Sequence, residues 1–409
     1  VLISLFLIPA YIFRFSIFGI PTNVFEVAVG ITFIYFIVSW FLNNQKKPEN
    51  YHKLKSGSVF VYLLLFVAFI SVFVAADRTR ALGIFKGWFL VPIVLYFLII
   101  NTFGRAKLKY LSIPLYFSLI AVSVWAILQK LGVISTLFYQ VGDSGFADYL
   151  IRFRAFGPFE SPNYLAMFLL PMTFLSLPIL ELFKRRTDQT LILATFILPL
   201  FALYSSHSLG GLLAFGFATV SFLAFRLSKE GKIQTREQKI RLAYIIFALV
   251  AAAVIFSTIF SSIGQETYSR NVRVEIYRYA IQLVKSHPVL GIGPGEFQQS
   301  VENISKSNLG FQLYGLSYAL HPHDIYLTFW LNLGIFGLLF FLIVVIYFFI
   351  KIGRSHGAVF LSSALCAAMI AVLVHGIIDT TYFKNDLSAI FWIIVAVSVI
   401  IGSRDNGKQ

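Results

Sequence analysis

The chain has a single cysteine, Cys366. No disulfide can form within it, and cysteine usage says nothing about redox compartment. Charge is the second scarcity: 12% of the 409 residues are Asp, Glu, Lys or Arg, against 58% hydrophobic. Soluble domains carry about a quarter charged residues. They also show charged faces at helical period, and most segments here show none. Low-complexity tracts and repeats of fixed period are missing too. The first apolar run, 1–13, lacks a cleavage-site pattern and reads as a retained helix rather than a removed leader. What the chain does have is long apolar runs and aromatics, 17% of residues with 45 Phe, as in lipid-facing helices and interfacial belts.

Apolar runs able to cross about 30 Å of hydrocarbon need about 20 residues each. They lie near 1–13, 24–42, 57–76, 81–100, 110–131, 162–180, 190–205, 208–225, 242–261, 325–350, 357–376 and 386–402. In lipid each segment must satisfy its own backbone hydrogen bonds, so these are helices. The expected fold is an all-α integral membrane protein of about 12 transmembrane helices, with a large helical extracytoplasmic loop between the ninth and tenth. Residues 1–409 then form one polytopic domain.

Alternate loops 43–56, 101–109, 181–189, 226–241 and 351–356, with the tail 403–409, carry most of the Lys and Arg. The opposite short loops hold only Arg14, Arg78, Arg80, Arg152, Arg154 and Lys384. The positive-inside rule puts the first set and both termini in the cytoplasm. The net charge of +15 is therefore topological bias, and no nucleic-acid partner is implied. Two outer segments, 132–161 and 262–322, are too long for simple turns, and long connections usually carry function.

The second of these segments ends on His321, Pro322, His323 and Asp324, which run straight into a long apolar helix. Ionisable groups at a membrane boundary are costly to place and mark functional candidates. His323 can act as a base near neutral pH; the bland alternative is a helix-start histidine touching headgroups. His321, two residues away, is expected to face elsewhere. Asp324 is the only close carboxylate by sequence, so no metal is expected. His375 and Asp379, four apart, read as a helical pair.

Residues 268–287 read as an amphipathic surface helix, with Arg270, Arg273 and Tyr277 on one face. Gly291, Gly293 and Gly295 follow Pro288, either as a plain loop or as a turn that lets N–H groups approach an anion. The outer arginines Arg152, Arg154, Arg270, Arg273 and Arg278 lie where the inside rule disfavours them. Each can snorkel or pair with Glu160, Glu266 or Glu275; as a set beside a histidine pair they point to an anionic substrate, since Arg grips phosphate bidentately.

Three stretches carry a family resemblance: Arg154 with Gly157, Pro162 and Asn163; Arg273 with Pro288, Gly291 and Gly293; and His321, His323 and Asp324 with Gly334 and Gly337. The chain resembles the O-antigen ligase and polymerase superfamily of bacterial envelope glycosyltransferases. The resemblance implies transfer of a glycan from an undecaprenyl-diphosphate carrier to an acceptor hydroxyl on a glycolipid or glycan, at the outer face of the cytoplasmic membrane, without cofactor or metal. It makes His323 the catalytic base and Arg273 a diphosphate contact, joined by Arg154 and Arg270. Supporting places fall to His321, Asp324, Asn163 and His207. Asp324 stands where the family usually has Asn, Asn332 where Glu is common, and Leu209 where many ligases carry an Arg. Ligase and polymerase both remain open. A lipid or glycan transporter without covalent chemistry is the rival from another class, though mid-span charge is scarce here. A channel or scaffold leaves the outer arginines unexplained.

Overall fold

The structure, a computed structural model, describes residues 1–42, 58–135, 154–231, 238, 266–307, 321–355 and 357–403. The expected span 242–261, residues 136–153 with Arg152, and residues 308–320 lie outside these. The described chain is mostly helical: α1 Leu2–Phe6, α2 Val24–Leu42, α3 Ser58–Val72, α4 Arg78–Thr102, α5 Arg105–Lys130, α6 Pro162–Leu182, α7 Arg186–Ser205, α8 Leu209–Lys229, α9 Glu266–Ser286, α10 Phe297–Ser307, α11 Ile325–Gly353, α12 Val359–His375 and α13 Asn385–Ile401. Among the described residues seven of them (α2, α4, α5, α6, α7, α8 and α11) are long and apolar enough to cross a membrane. Three more, α3, α12 and α13, are apolar but shorter.

The first expected span differs. The run 1–13 is not one helix: α1 stops at Phe6, and Pro9 opens a short 3-10 helix, Ile8–Ile12. Proline has no N–H to continue an α ladder. Strand β1, Arg14–Ile17, then pairs antiparallel with β2, Ile20–Asn23, with Ile17 opposite Ile20. The two-residue turn Phe18-Gly19 has both residues at positive φ, 50° and 79°, as a type I′ hairpin requires.

The core is built round α13, in which every residue from Asp386 to Ile401 is buried. A helix apolar on all sides belongs in the middle of a bundle. Helices α4, α6, α11 and α12 pack against it, α8 lies on α12, α3 on α11, and α9 on the start of α11. Packed aromatics fix the connection between α12 and α13. Phe329 of α11 lies 4.9 Å from Tyr382 and 4.7 Å from Phe383, and Trp392 Nε1 donates to Tyr382 Oη at 3.0 Å.

Helix α11 carries a break that the apolar run hides. Gly334 has φ 70° and ψ −174°. The glycine loop 291–295 docks on it: Ile292 N donates to the Leu331 carbonyl at 2.7 Å and Ile335 N to the Pro288 carbonyl at 3.2 Å. A methyl group on Gly293 would sit 2.6 Å from Ala75 Cα. These glycines serve close backbone packing, which favours the plain-loop reading over an anion turn.

The hairpin and the starts of α6, α11 and α13 gather at one end, linked by Arg14–Glu160, Tyr164–His321 and Asn385–Glu26 contacts. The opposite end is closed by Lys229, whose Nζ donates to the Gly353 and Ser355 carbonyls at 2.7 and 3.1 Å.

Candidate active site

The site starts with a helix cap. Asp324 Oδ1 accepts from Leu327 N at 2.7 Å, so the residue N-caps α11. Burial pushes its carboxyl pKa up, against the pull of that backbone bond. His323, one residue earlier, is left-handed with φ 50°. Non-glycine residues held there are uncommon and cluster at functional sites. Its carbonyl accepts from Tyr277 Oη on α9 at 3.0 Å. This bond brings the amphipathic helix against the histidine turn.

His323 Nδ1 lies 3.3 Å from Oδ1 of Asp379, which is only 3% exposed. The expected Asp379–His375 side-chain pair does not form. Asp379 N donates instead to the His375 carbonyl at 3.0 Å, and the carboxylate turns to His323. His375 is the last residue of α12, so Asp379 has already left the helix, and four-residue spacing no longer implies a shared face. Burial alone would raise the Asp379 pKa. The hydrogen bond and charge of His323, followed by His321 and His375, outweigh it and hold the carboxyl well below the usual carboxylate range. It is therefore ionised at neutral pH.

His321 faces the site, contrary to expectation. Its ring lies 4.9 Å from that of His323, nearly perpendicular to it. Its Nε2 lies 2.7 Å from Tyr164 Oη. Residues two apart share a side in extended backbone, so the spacing itself permits this contact. Burial, followed by the His323 charge, pushes the His321 pKa down to about 3, so this imidazole stays neutral.

Tyr164 and Lys384 join the cluster without having been singled out in the sequence. Lys384 Nζ sits 3.8 Å above the Tyr164 ring, a cation–π contact, and pairs with Glu160. Glu160 also meets Arg14 at 3.5 Å. The available signals were that Tyr164 follows Asn163 directly, and that Lys384 is the one cation of the short loop 376–384, which also holds Asp379.

Arg154 and Asn163 bond to each other, Nη2 to Oδ1 at 2.9 Å, and Arg154 Nε donates to the Ser206 carbonyl at 2.8 Å. They brace the break between α7 and α8, where His207 is left-handed with φ 48°. Burial, then Lys130 and Arg154, lower the His207 pKa. Arg273 is half-buried on α9, one turn before Tyr277. Burial and the Asp324 carboxylate raise the Tyr277 pKa while Arg273 opposes them, so the guanidinium acts on the group that touches His323. Arg270 lies on α9 with its side chain outside the described residues. Arg278 pairs with Glu275 at 3.3 Å. An open groove of about 470 Å³ runs along α9, lined by Val274, Tyr277, Arg278, Ile281, Gln282 and Lys285.

His321, His323 and Asp379 offer three ligand atoms within 4.8 Å of one another, a group that could hold a metal ion. Asp324 is therefore not the only carboxylate near the pair, since the fold brings Asp379 from 56 residues away. Two of those side chains already face hydrogen-bond partners, and Lys384 charge acts on His321. These favour a hydrogen-bonded dyad over a cation centre.

Apolar helices of this length define an integral membrane protein, with ionised and neutral titratable groups held together at one end of the bundle. Residues 194–342 match the family described as O-antigen ligase. That stretch contains His207, Arg273, His321, His323 and Asp324, and the match supports the resemblance to the O-antigen ligase and polymerase superfamily. Arg154, Asn163, Tyr164, Asp379 and Lys384 fall outside the match. No curated protein matches the chain.

Proposed function

We propose that the protein is an inverting, ligase-type glycosyltransferase that moves an oligo- or polysaccharide from undecaprenyl diphosphate to an acceptor hydroxyl at the outer face of the cytoplasmic membrane. The observation that carries this reading is the buried, ionised Asp379 at His323 Nδ1. With Nδ1–H directed at the carboxylate, Nε2 keeps its lone pair. The pair distance is long for an N–H···O bond, as such pairs often are before substrate tightens them.

The chemistry follows from that tautomer. The acceptor oxygen attacks the anomeric carbon while its proton passes to His323 Nε2, and Asp379 stabilises the imidazolium. The bond from the anomeric carbon to phosphate breaks, and its electron pair leaves with the diphosphate. Fixed positive charge must meet that departing anion. Arg273, with Arg270 on the same helix, supplies it; Arg154 acts indirectly, by holding Asn163 and so the Tyr164 end of α6. His321 stays neutral and orients the histidine turn through Tyr164. One displacement inverts the anomeric centre.

The supporting architecture is a single polytopic domain of about twelve apolar segments, the first of them broken at Pro9, with both termini in the cytoplasm. The His321 end then faces outward, the side to which the charge bias assigns the segments 132–161 and 262–322. Tyr277, which lines the groove along α9, bonds the His323 carbonyl and so puts one end of that groove beside the histidine turn. The test is product analysis with purified protein and a lipid-diphosphate glycan, without any ion gradient. One covalent transfer to a terminal glycolipid supports the ligase reading. A ladder of lengthened carrier-linked chains makes the protein a polymerase, and no covalent product at all leaves the transporter.

A further inference from the structure

We propose that the β-hairpin Arg14–Asn23 is a membrane-interface anchor, its tip seated among the headgroups and first methylenes of the leaflet that borders the histidine pair. Phe13, Phe15, Ile17, Phe18 and Ile20 are all exposed, Phe18 completely and Ile20 by 60%. Isolated two-stranded hairpins are marginal in water, and a run of bare large apolar side chains marks a membrane or partner surface. Phe18 also occupies the left-handed region, where a bulky residue is strained. In water that strain would present a whole aromatic ring to solvent with no packing in return.

Lipid is the partner that fits. The hairpin has no carboxylate, and its one cation, Arg14, is turned to Glu160. Its second strand runs directly into α2, whose exposed Ile31, Ile34, Tyr35 and Val38 form the membrane-facing side of a spanning helix. The apolar surface is thus continuous from the span to the turn. Depth is bounded from both sides. A two-stranded ribbon leaves backbone N–H and C=O groups unpaired on its outer edges, which the hydrocarbon centre does not tolerate. One residue pair behind the tip, Lys86 Nζ bonds the Pro21 carbonyl, and it also pairs with Glu26. Such a charged group holds that level near water.

The anchor is wired to the site. Arg14 meets Glu160, Glu160 pairs with Lys384, Lys384 lies over Tyr164, and Tyr164 bonds His321. Hairpin depth therefore sets the level of the histidines against a lipid-borne diphosphate. Only this last consequence rests on the proposed transfer reaction; the lipid contact stands or falls without it.

The test is nitroxide labelling of the full chain in liposomes of phosphatidylethanolamine and phosphatidylglycerol. Phe18→Cys and Ile20→Cys are made in a Cys366→Ala background. Gln299→Cys gives an exposed loop-helix reference and Ile34→Cys a mid-span one. Collision rates with oxygen and with a water-soluble nickel chelate are compared. At residues 18 and 20, the oxygen-to-nickel ratio should exceed that at 299 and fall below that at 34. A ratio equal to the Gln299 reference places the hairpin in water and overturns the proposal. A ratio equal to the Ile34 reference overturns the interfacial depth. Strong spin–spin broadening would give the surface to a second copy of the chain instead.

Discussion

Replacing Asp379 by Asn leaves the shape of the site intact and removes one charge. The carboxylate lies 3.3 Å from His323 Nδ1, is 3% exposed, and also accepts from Thr380 N at 3.0 Å. An amide can still accept from Thr380, so the loop should hold. What disappears is the ionic partner that steadies the imidazolium as it forms. A hydrogen bond to a charged group contributes about 1.5–3 kcal/mol, which is a fall of roughly 10- to 150-fold in rate. An amide turned with its NH2 toward Nδ1 would also put the proton on Nε2, deepening the loss. The assay is single-turnover transfer from a lipid-diphosphate glycan by purified variants, with melting temperature measured alongside. kcat should fall while KM for donor stays near its original value. Because Asp379 acts through His323, the double variant with His323→Ala should be no slower than His323→Ala alone. A strictly multiplicative loss in the double variant, or an Asp379→Asn rate within about threefold of the parent, would refute the dyad.

Arg273→Ala should raise KM for the donor and lower turnover, with Arg273→Lys restoring only part, since the fork is lost; unchanged donor kinetics in the alanine variant count against the phosphate contact. Gly334→Ala should cost roughly 2–5 kcal/mol, from a strained φ together with a methyl driven into the Val289 carbonyl; a melting temperature equal to the parent's sinks that assignment. Acid should destabilise the fold through His321. Its folded pKa of about 3 lies below the unfolded value of about 6.5, so the unfolded chain binds the extra proton and stability declines as pH falls from about 6.5 toward 3. His321→Gln should flatten that decline in thermal scans, and an unchanged slope contradicts the neutral-imidazole assignment.

Much of the architecture could be read from periodicity and charge, because lipid forces helices and the Lys and Arg bias marks alternate loops. The helix start at Asp324 follows from local spacing. What spacing does not encode is which loop ends meet. The Asp379–His323 contact spans 56 residues and depends on α11 and α12 both packing on α13. Helical period pointed Asp379 to His375, although the apolar run stops at 376 and Gly376 caps the helix there. Tyr164 and Lys384 were missed for a similar reason: an aromatic at a helix start and a single lysine in a loop become a site only when the ends of α6, α11 and α13 converge. Pro9 was a local signal that went unused, and it decides that the first apolar run ends in a hairpin. Gly334 was noticed as part of a motif, but its kink exists to receive the loop at Pro288.

The most direct measurement is glycan transfer by His323→Ala. Loss of the general base should cost about 10²–10⁴ in turnover, with the melting temperature and donor binding retained and the parent's product inverted at the anomeric carbon. Turnover near the parent's in a folded variant, or a product that retains configuration, would contradict the single-displacement mechanism built on this imidazole.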